Sequence, residues 1–439
     1  MSFDLEVCRE RRARLIARVG EGVVILNSAP ELTSGGDTEI PYRQDADLYY
    51  LTGFQEPGTV AVLSNDEDGP GFTLFVRPRD PAREAWSGPR AGVDGAVDEF
   101  GADAAFPIDE LDQHLPDLVR PADKIFYSLG LDAAMDDRVT GLIAAARAAR
   151  PRTGQGPSGI EDLDPILSAM RRTKDAVELT SMRRSAEVAV AAHRATMAAA
   201  RPGMGEWELE AVLEYNFRAM GATGPAFPSI VGAGENATVL HYTANNRRIN
   251  DGDLVLVDAG ADLGMYCSDL TRTFPISGRF SSAQRELYAI VLAAEEAAIG
   301  VVQPGAAFAG IHQAAVRVLV EGLLTLGILE GSLDELIESG DYRRYYPHRT
   351  SHWLGLNVHD VGMYREGGES VLLEPGMVLT VEPGLYIPAD AEDIDKEYLG
   401  IGIRIEDDVV VTADGHEILT RGVPVAVDEI EALVGSVLR

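Results

Sequence analysis

Short apolar runs that end in a charge constrain this chain more than any other feature. Leu254-Val255-Leu256-Val257 is closed by Asp258, and Met377-Val378-Leu379-Thr380-Val381 is closed by Glu382. Glu406 stands between Ile405 and the run Val409-Val410-Val411. Runs this short, rich in Val and Ile, read as buried strands. A carboxylate among such residues costs several kcal/mol unless it is paired or coordinates a metal. The fold must therefore bring these strand ends to partners. Asp269 and His352 complete a set of four carboxylates and one imidazole, a shell suited to two divalent cations.

Two of the five can be placed by spacing. A hairpin turning at Leu263-Gly264 puts Asp258 directly opposite Asp269 on one face, with Cβ atoms about 4.5–5.5 Å apart. That separation suits two metals about 3.5–4 Å apart, bridged by one of the carboxylates. A bulge at Gly264 would slip the register, and either aspartate alone could be a strand-end cap. Arg404 and Glu406 are two apart on one strand and share a face, so Arg404 can hold a neighbouring carboxylate. Asp407 points the other way and is expected to be solvated. His348, His352 and His359 put three of the eight histidines into one short segment. His352 and His359 reach one site only if the chain bends, and Gly355 is the candidate. His352 suits a ligand role, His359 a hydrogen bond to substrate, and His241 is a further candidate.

Composition removes several classes. The formal net charge of -32, from 38 basic and 70 acidic residues, excludes nucleic acid as a partner, because that needs a basic face. No apolar stretch reaches the roughly 20 residues of a membrane span. Met1 to Arg18 is charged and helical in pattern, without a signal-peptide core. The two cysteines, Cys8 and Cys267, lie far apart, which suits a reducing cytosol. No G-x-S-x-G elbow, Walker loop, H-E-x-x-H or C-x-x-C competes for the chemistry.

The chain reads as two domains. Residues 1–165 alternate strands with helices as an α/β domain. Expected strands are Gly22–Asn27, Leu48–Thr52, Thr59–Leu63, Phe72–Val76 and Lys124–Ser128; Asp136–Arg150 reads as a helix. Arg150–Gly159, rich in Gly and Pro, looks like the junction. Residues 170–439 follow an α+β pattern with a weak internal repeat. Helices at Thr173–Ala200 and Gly205–Met220 precede one set of strands. Helices at Ser281–Gly300, opened by the capping box Ser281/Gln284, and from Pro304-Gly305 to about Leu326 precede the other. Each half would then supply part of one metal site.

The contexts VDAGADLGMYCSDLTRTF, SHWLGLNVHDVG, VEPGLY and GIRIEDDVVV resemble the M24 metallopeptidases of the pita-bread fold. IPYRQDADLYYLTGF (residues 40–54) and LSAMRRTKDAVEL (167–179) extend the resemblance over nearly the whole chain, to the two-domain Xaa-Pro aminopeptidases, aminopeptidase P. It implies a pita-bread catalytic domain of pseudo-twofold duplicated halves behind a smaller α/β domain. Asp258 would bind one metal, Asp269 and Glu406 would bridge both, and His352 and Glu382 would bind the other, with manganese the usual ion. A hydroxide bridging the metals would attack the scissile carbonyl, with Glu382 moving the proton. His241, His348 and His359 would line the substrate site, and Tyr386 and Arg404 would support it. Asp37 and Trp86 match positions that close a neighbouring subunit's site, which implies a homo-oligomer, a tetramer or dimer. Arg349 stands where relatives often carry Gly, and Asn357 where Asp is common. The implied activity is release of the N-terminal residue from peptides with proline second, in the cytoplasm. Its rivals are a prolidase with the same metal centre, a non-catalytic pita-bread binding module and a dinuclear phosphoesterase.

Overall fold

The computed structural model describes residues 4–66 and 69–438. It divides into two compact units, Met1–Ala169 and Met170–Arg439. Among the described residues, no helix is long and apolar enough to cross a membrane.

The N-terminal unit is a six-stranded mixed sheet flanked by helices. Its strand order is Ala104–Pro107, Phe72–Val76, Val60–Ser64, Val23–Asn27, Ile125–Phe126 and Ile160–Glu161. Leu5–Val19 is helical; Met1–Phe3 lie outside the described residues. Leu48–Thr52, expected as a strand, lies in the helix Ala46–Thr52. The segment is apolar on every side, so periodicity is silent, and its ends decide. Asp45 accepts the Leu48 N–H at one end, and Gly53, at φ 70°, closes the other. Arg150–Gly159 is not a junction. The helix Ala133–Thr153 runs into it, and Ile160–Glu161 then pairs in parallel with Ile125–Phe126 inside the same unit.

The C-terminal unit repeats one plan, helix–helix–sheet. Its first half holds α1 (Ala176–Ala199) packed on α2 (Glu206–Ala219), followed by the antiparallel sheet β1 (Ile230–Ala233), β2 (Leu254–Asp258) and β3 (Thr271–Pro275). Its second holds α3 (Ser282–Ile299) packed on α4 (Phe308–Thr325), then β4 (Val378–Val381), β5 (Gly384–Tyr386), β6 (Gly402–Arg404), β7 (Asp407–Val411) and β8 (His416–Ile418). Here β4, β7 and β8 form a second three-stranded antiparallel sheet. The expected capping box is present: Ser281 Oγ accepts the Gln284 N–H, and the Gln284 carboxamide accepts the Ser281 N–H. One apolar core runs through both halves and buries Val255, Val257, Leu379, Val381 and Val409 completely. The sheets meet where Glu406 N–H donates to Thr271 O at 3.1 Å. Strand ends from both halves therefore open onto one place.

Candidate metal centre

The hairpin register differs from the expectation by one pair. Asp258 lies opposite Thr271, not Asp269, because the turn is made by Gly264 and Met265, both at positive φ. Two consecutive positive-φ residues suit the tight turn that matches strand twist. Asp269 is two residues before Thr271, so it keeps the same face as Asp258 but sits diagonally. The chain is pinched at Gly260, where a Cβ would come within 1.5 Å of Ser268 O. Only glycine permits that approach, which sets the backbone that presents Asp269.

A cavity of about 970 Å³ opens over these strand ends. All five candidate donors line it: Asp258, Asp269, His352, Glu382 and Glu406. Donor atoms of Asp269, His352 and Glu406 lie within 4.8 Å of one another. His352 Nε2 is 3.4 Å from Asp269 Oδ2 and 3.6 Å from Glu382 Oε1. Two ligands of one divalent cation stand about 3.0–3.6 Å apart, so these gaps fit an ion between them. His352 Nδ1 meets Trp353 O at 3.0 Å, which puts the proton on Nδ1 and leaves Nε2 free as a donor.

The charge balance points the same way. Among the described residues the four carboxylates have one arginine in contact, Arg404, whose Nη2 donates to Asp258 Oδ2. Asp258 Oδ1 is buried with no hydrogen-bond partner among the described residues. Burial, then the neighbouring carboxylates, raises the proton affinity of Asp269 and Glu406 well above the ordinary carboxylate range. Burial pushes Glu382 up to about 7 against the pull of His352 and Arg404. Such a cluster fits divalent cations, which would discharge it and complete Asp258.

His241, His348, His359 and Arg404 line the same cavity. The chain does turn at Gly355, where a Cβ would meet Asp360 Oδ2 at 2.2 Å. The turn brings the His352 and His359 rings edge to face, with centroids 4.5 Å apart. His348 Nε2 meets the Tyr386 hydroxyl at 2.8 Å, and Arg404 Nη1 donates to that hydroxyl at 2.9 Å. Burial, then Arg404, holds His348 neutral, down to about 3, so its 3.6 Å approach to Glu382 is not an ion pair. Asp37 and Trp86 lie in the N-terminal unit, both exposed. Asp407, expected in solvent, is buried and paired with Arg272 at 2.8 Å.

Sequence reading missed three groups. Thr271 Oγ1 donates to Glu406 Oε2 at 2.6 Å, and the alternation Asp269, Thr271, Thr273 could have shown it. Asp408 Oδ2 accepts the Asp269 N–H at 3.1 Å. His312 lines the cavity, its Nδ1 2.8 Å from Thr350 Oγ1, and nothing in its helical surroundings signals this.

The pattern of Metallopeptidase family M24 matches residues 180–413, and that of the aminopeptidase P N-terminal domain matches residues 8–127. The chain belongs to the M24 metallopeptidases. Within that family it is similar to the Xaa-Pro aminopeptidase of Escherichia coli K12, 43% identical over 428 residues, which are 97% of each chain. Its fold matches an aminopeptidase structure from Pseudomonas aeruginosa at 48% identity and TM-score 0.96, covering 99% of this chain and 98% of the other. It also matches a zinc-substituted E. coli aminopeptidase P in complex with product, at 41% identity and TM-score 0.95 over the whole of both chains. The M24 pita-bread domain behind an aminopeptidase P N-terminal domain makes this chain a metallo-exopeptidase.

Proposed function

We propose that this M24 enzyme releases the N-terminal residue from peptides whose second residue is proline, using two divalent cations, manganese in the cell. The observation that carries the reading is the convergence of five metal donors from both halves on one cavity. Asp258 would hold one cation, Asp269 and Glu406 both, and His352 and Glu382 the other. When bound, the cations supply a Lewis acid for the scissile carbonyl and lower the pKa of water enough to give a nucleophile at neutral pH.

The chain's own residues do the rest. The nitrogen of the Xaa-Pro amide, like that of any amide, leaves only once protonated. Glu382 takes the proton of the attacking water and delivers it to that nitrogen. Neutral His348, fixed by Tyr386, and the half-buried His359 accept or donate hydrogen bonds to the peptide without adding charge. His359 steadies the tetrahedral oxygen. Arg404 anchors Asp258 and Tyr386 together. The likeness to an Xaa-Pro aminopeptidase over nearly the whole of both chains favours an aminopeptidase over a prolidase.

Asp37 and Trp86 are assigned to the site of a neighbouring subunit in a homotetramer. Trp86, 93% exposed, is the kind of anchor that interfaces bury. Two cysteines in 439 residues, far apart in sequence, suit a reducing cytoplasm. Hydrolysis of Arg-Pro-Pro-type tripeptides beside Xaa-Pro dipeptides tests the reading. Release of the first residue from tripeptides supports it; cleavage of dipeptides alone would replace it with prolidase.

A further inference from the structure

The cavity is electrically polarised. Its floor holds the carboxylates, and its rim carries Arg349 and Arg365. Both guanidinium groups are exposed, in a chain of net charge -32 where acidic partners are abundant. Among the described residues neither forms an ion pair; Arg365 Nε donates only to Gly368 O, at 3.1 Å. The N-terminal turn of α4 lines the same cavity through Phe308 and Ala309, and a helix N-terminus adds positive potential. The field is felt at His312, held down to about 4 first by burial and then by Arg349 and Arg343, with no carboxylate opposing them.

A short peptide has two obligatory charges, an ammonium and a carboxylate. The divalent cations discharge the floor, so the rim guanidinium groups set the preference: they repel the ammonium and attract the carboxylate. We propose that Arg349 and Arg365 form a carboxylate-reading subsite that selects short peptides bearing a free acid beyond the proline. The inference rests on the peptidase reading above and names its substrate class. The carboxylate can come from the C-terminus of a tripeptide or from an acidic side chain at the third position.

The test compares an Ala-Pro-Ala tripeptide, its C-terminal amide and Ala-Pro-Glu-amide on the metal-loaded enzyme. KM for the free acid is expected to be about fivefold below that for Ala-Pro-Ala-amide, the scale of two solvent-exposed ion pairs. The gap should narrow with added salt. In the variant Arg349→Ser/Arg365→Ser the acid-to-amide ratio of KM should approach one. If Ala-Pro-Glu-amide matches the free acid, the subsite reads a carboxylate from either source; if it behaves as the plain amide, it reads the C-terminus. Equal KM for all three in the wild type, or a ratio the double variant leaves unchanged, overturns the proposal. Failure to cleave any of them sinks the peptidase reading, and this inference with it.

Discussion

Two buried charge clusters sit on opposite faces of the same strands, and they are balanced in opposite ways. On one face Arg272, fully buried, pairs with Asp407 at 2.8 Å and donates to Glu406 O and Thr271 O. Asp407 also accepts from Thr420 Oγ1 at 2.6 Å. His193 on this side is kept neutral by burial, down to about 4, and meets Ala259 O at 2.9 Å. On the other face, reached by moving one residue along each strand, Asp258, Asp269, Glu382 and Glu406 share Arg404. The first face supplies its own cation for Asp407, and burial, then Asp407, raises the neighbouring Glu295 well above the ordinary carboxylate range, so that it is kept protonated. The second is short of positive charge. Such a cluster stays ionised in a core only when a cation from solution makes up the deficit.

The comparison can be broken by removing one member from each face. Asp269→Ala should lower kcat/KM by at least about 10³-fold if, as proposed, it removes a donor shared by both cations. In metal-free protein the same change should leave the melting temperature unchanged or raise it, since it relieves repulsion. A marked destabilisation would contradict the deficit. Arg272→Met should do the opposite. Removing one partner of a buried pair costs about 3–5 kcal/mol, so the midpoint of urea unfolding should fall sharply with or without metal.

His359 marks the edge of the acidic face. His359→Ala should lower kcat about 10²–10³-fold with metal content retained, the loss expected for one donor to the tetrahedral oxygen. Loss of metal would make it a ligand. The smallest effect is in pH. Glu382 is raised to about 7 in the metal-free fold from an ordinary value of about 4.5. A raised carboxyl stabilises the fold fully below its unfolded pKa, and that contribution is lost as pH rises through the folded one. Metal-free protein should therefore lose stability between about pH 4.5 and 7, and manganese should remove that slope. A flat or rising profile without metal would count against the assignment.

Most of this site was legible because burial makes charge conspicuous. Asp258 and Glu382 end apolar runs, Glu406 stands between Ile405 and the run Val409-Val410-Val411, and period-two alternation put Asp269 and Asp258 on one face even though the register was off by a pair. The register itself depended on Met265 taking a positive φ, which a non-glycine residue does not announce. Asp407 was misread because its partner Arg272 comes from a strand of the other half, and no local pattern connects them. The helix Ala46–Thr52 was hidden because Leu48, Tyr50, Leu51 and Thr52 are all buried, which blurs its periodicity. His312 came from a helix whose only visible duty was packing.

The most direct test of the central claim is metal stoichiometry. Protein stripped with chelator, reloaded with manganese and dialysed should carry two ions per chain by inductively coupled plasma mass spectrometry. Asp269→Ala should fall below that under the same treatment. Wild-type protein that keeps one ion or none, or a variant that keeps two, would contradict the account.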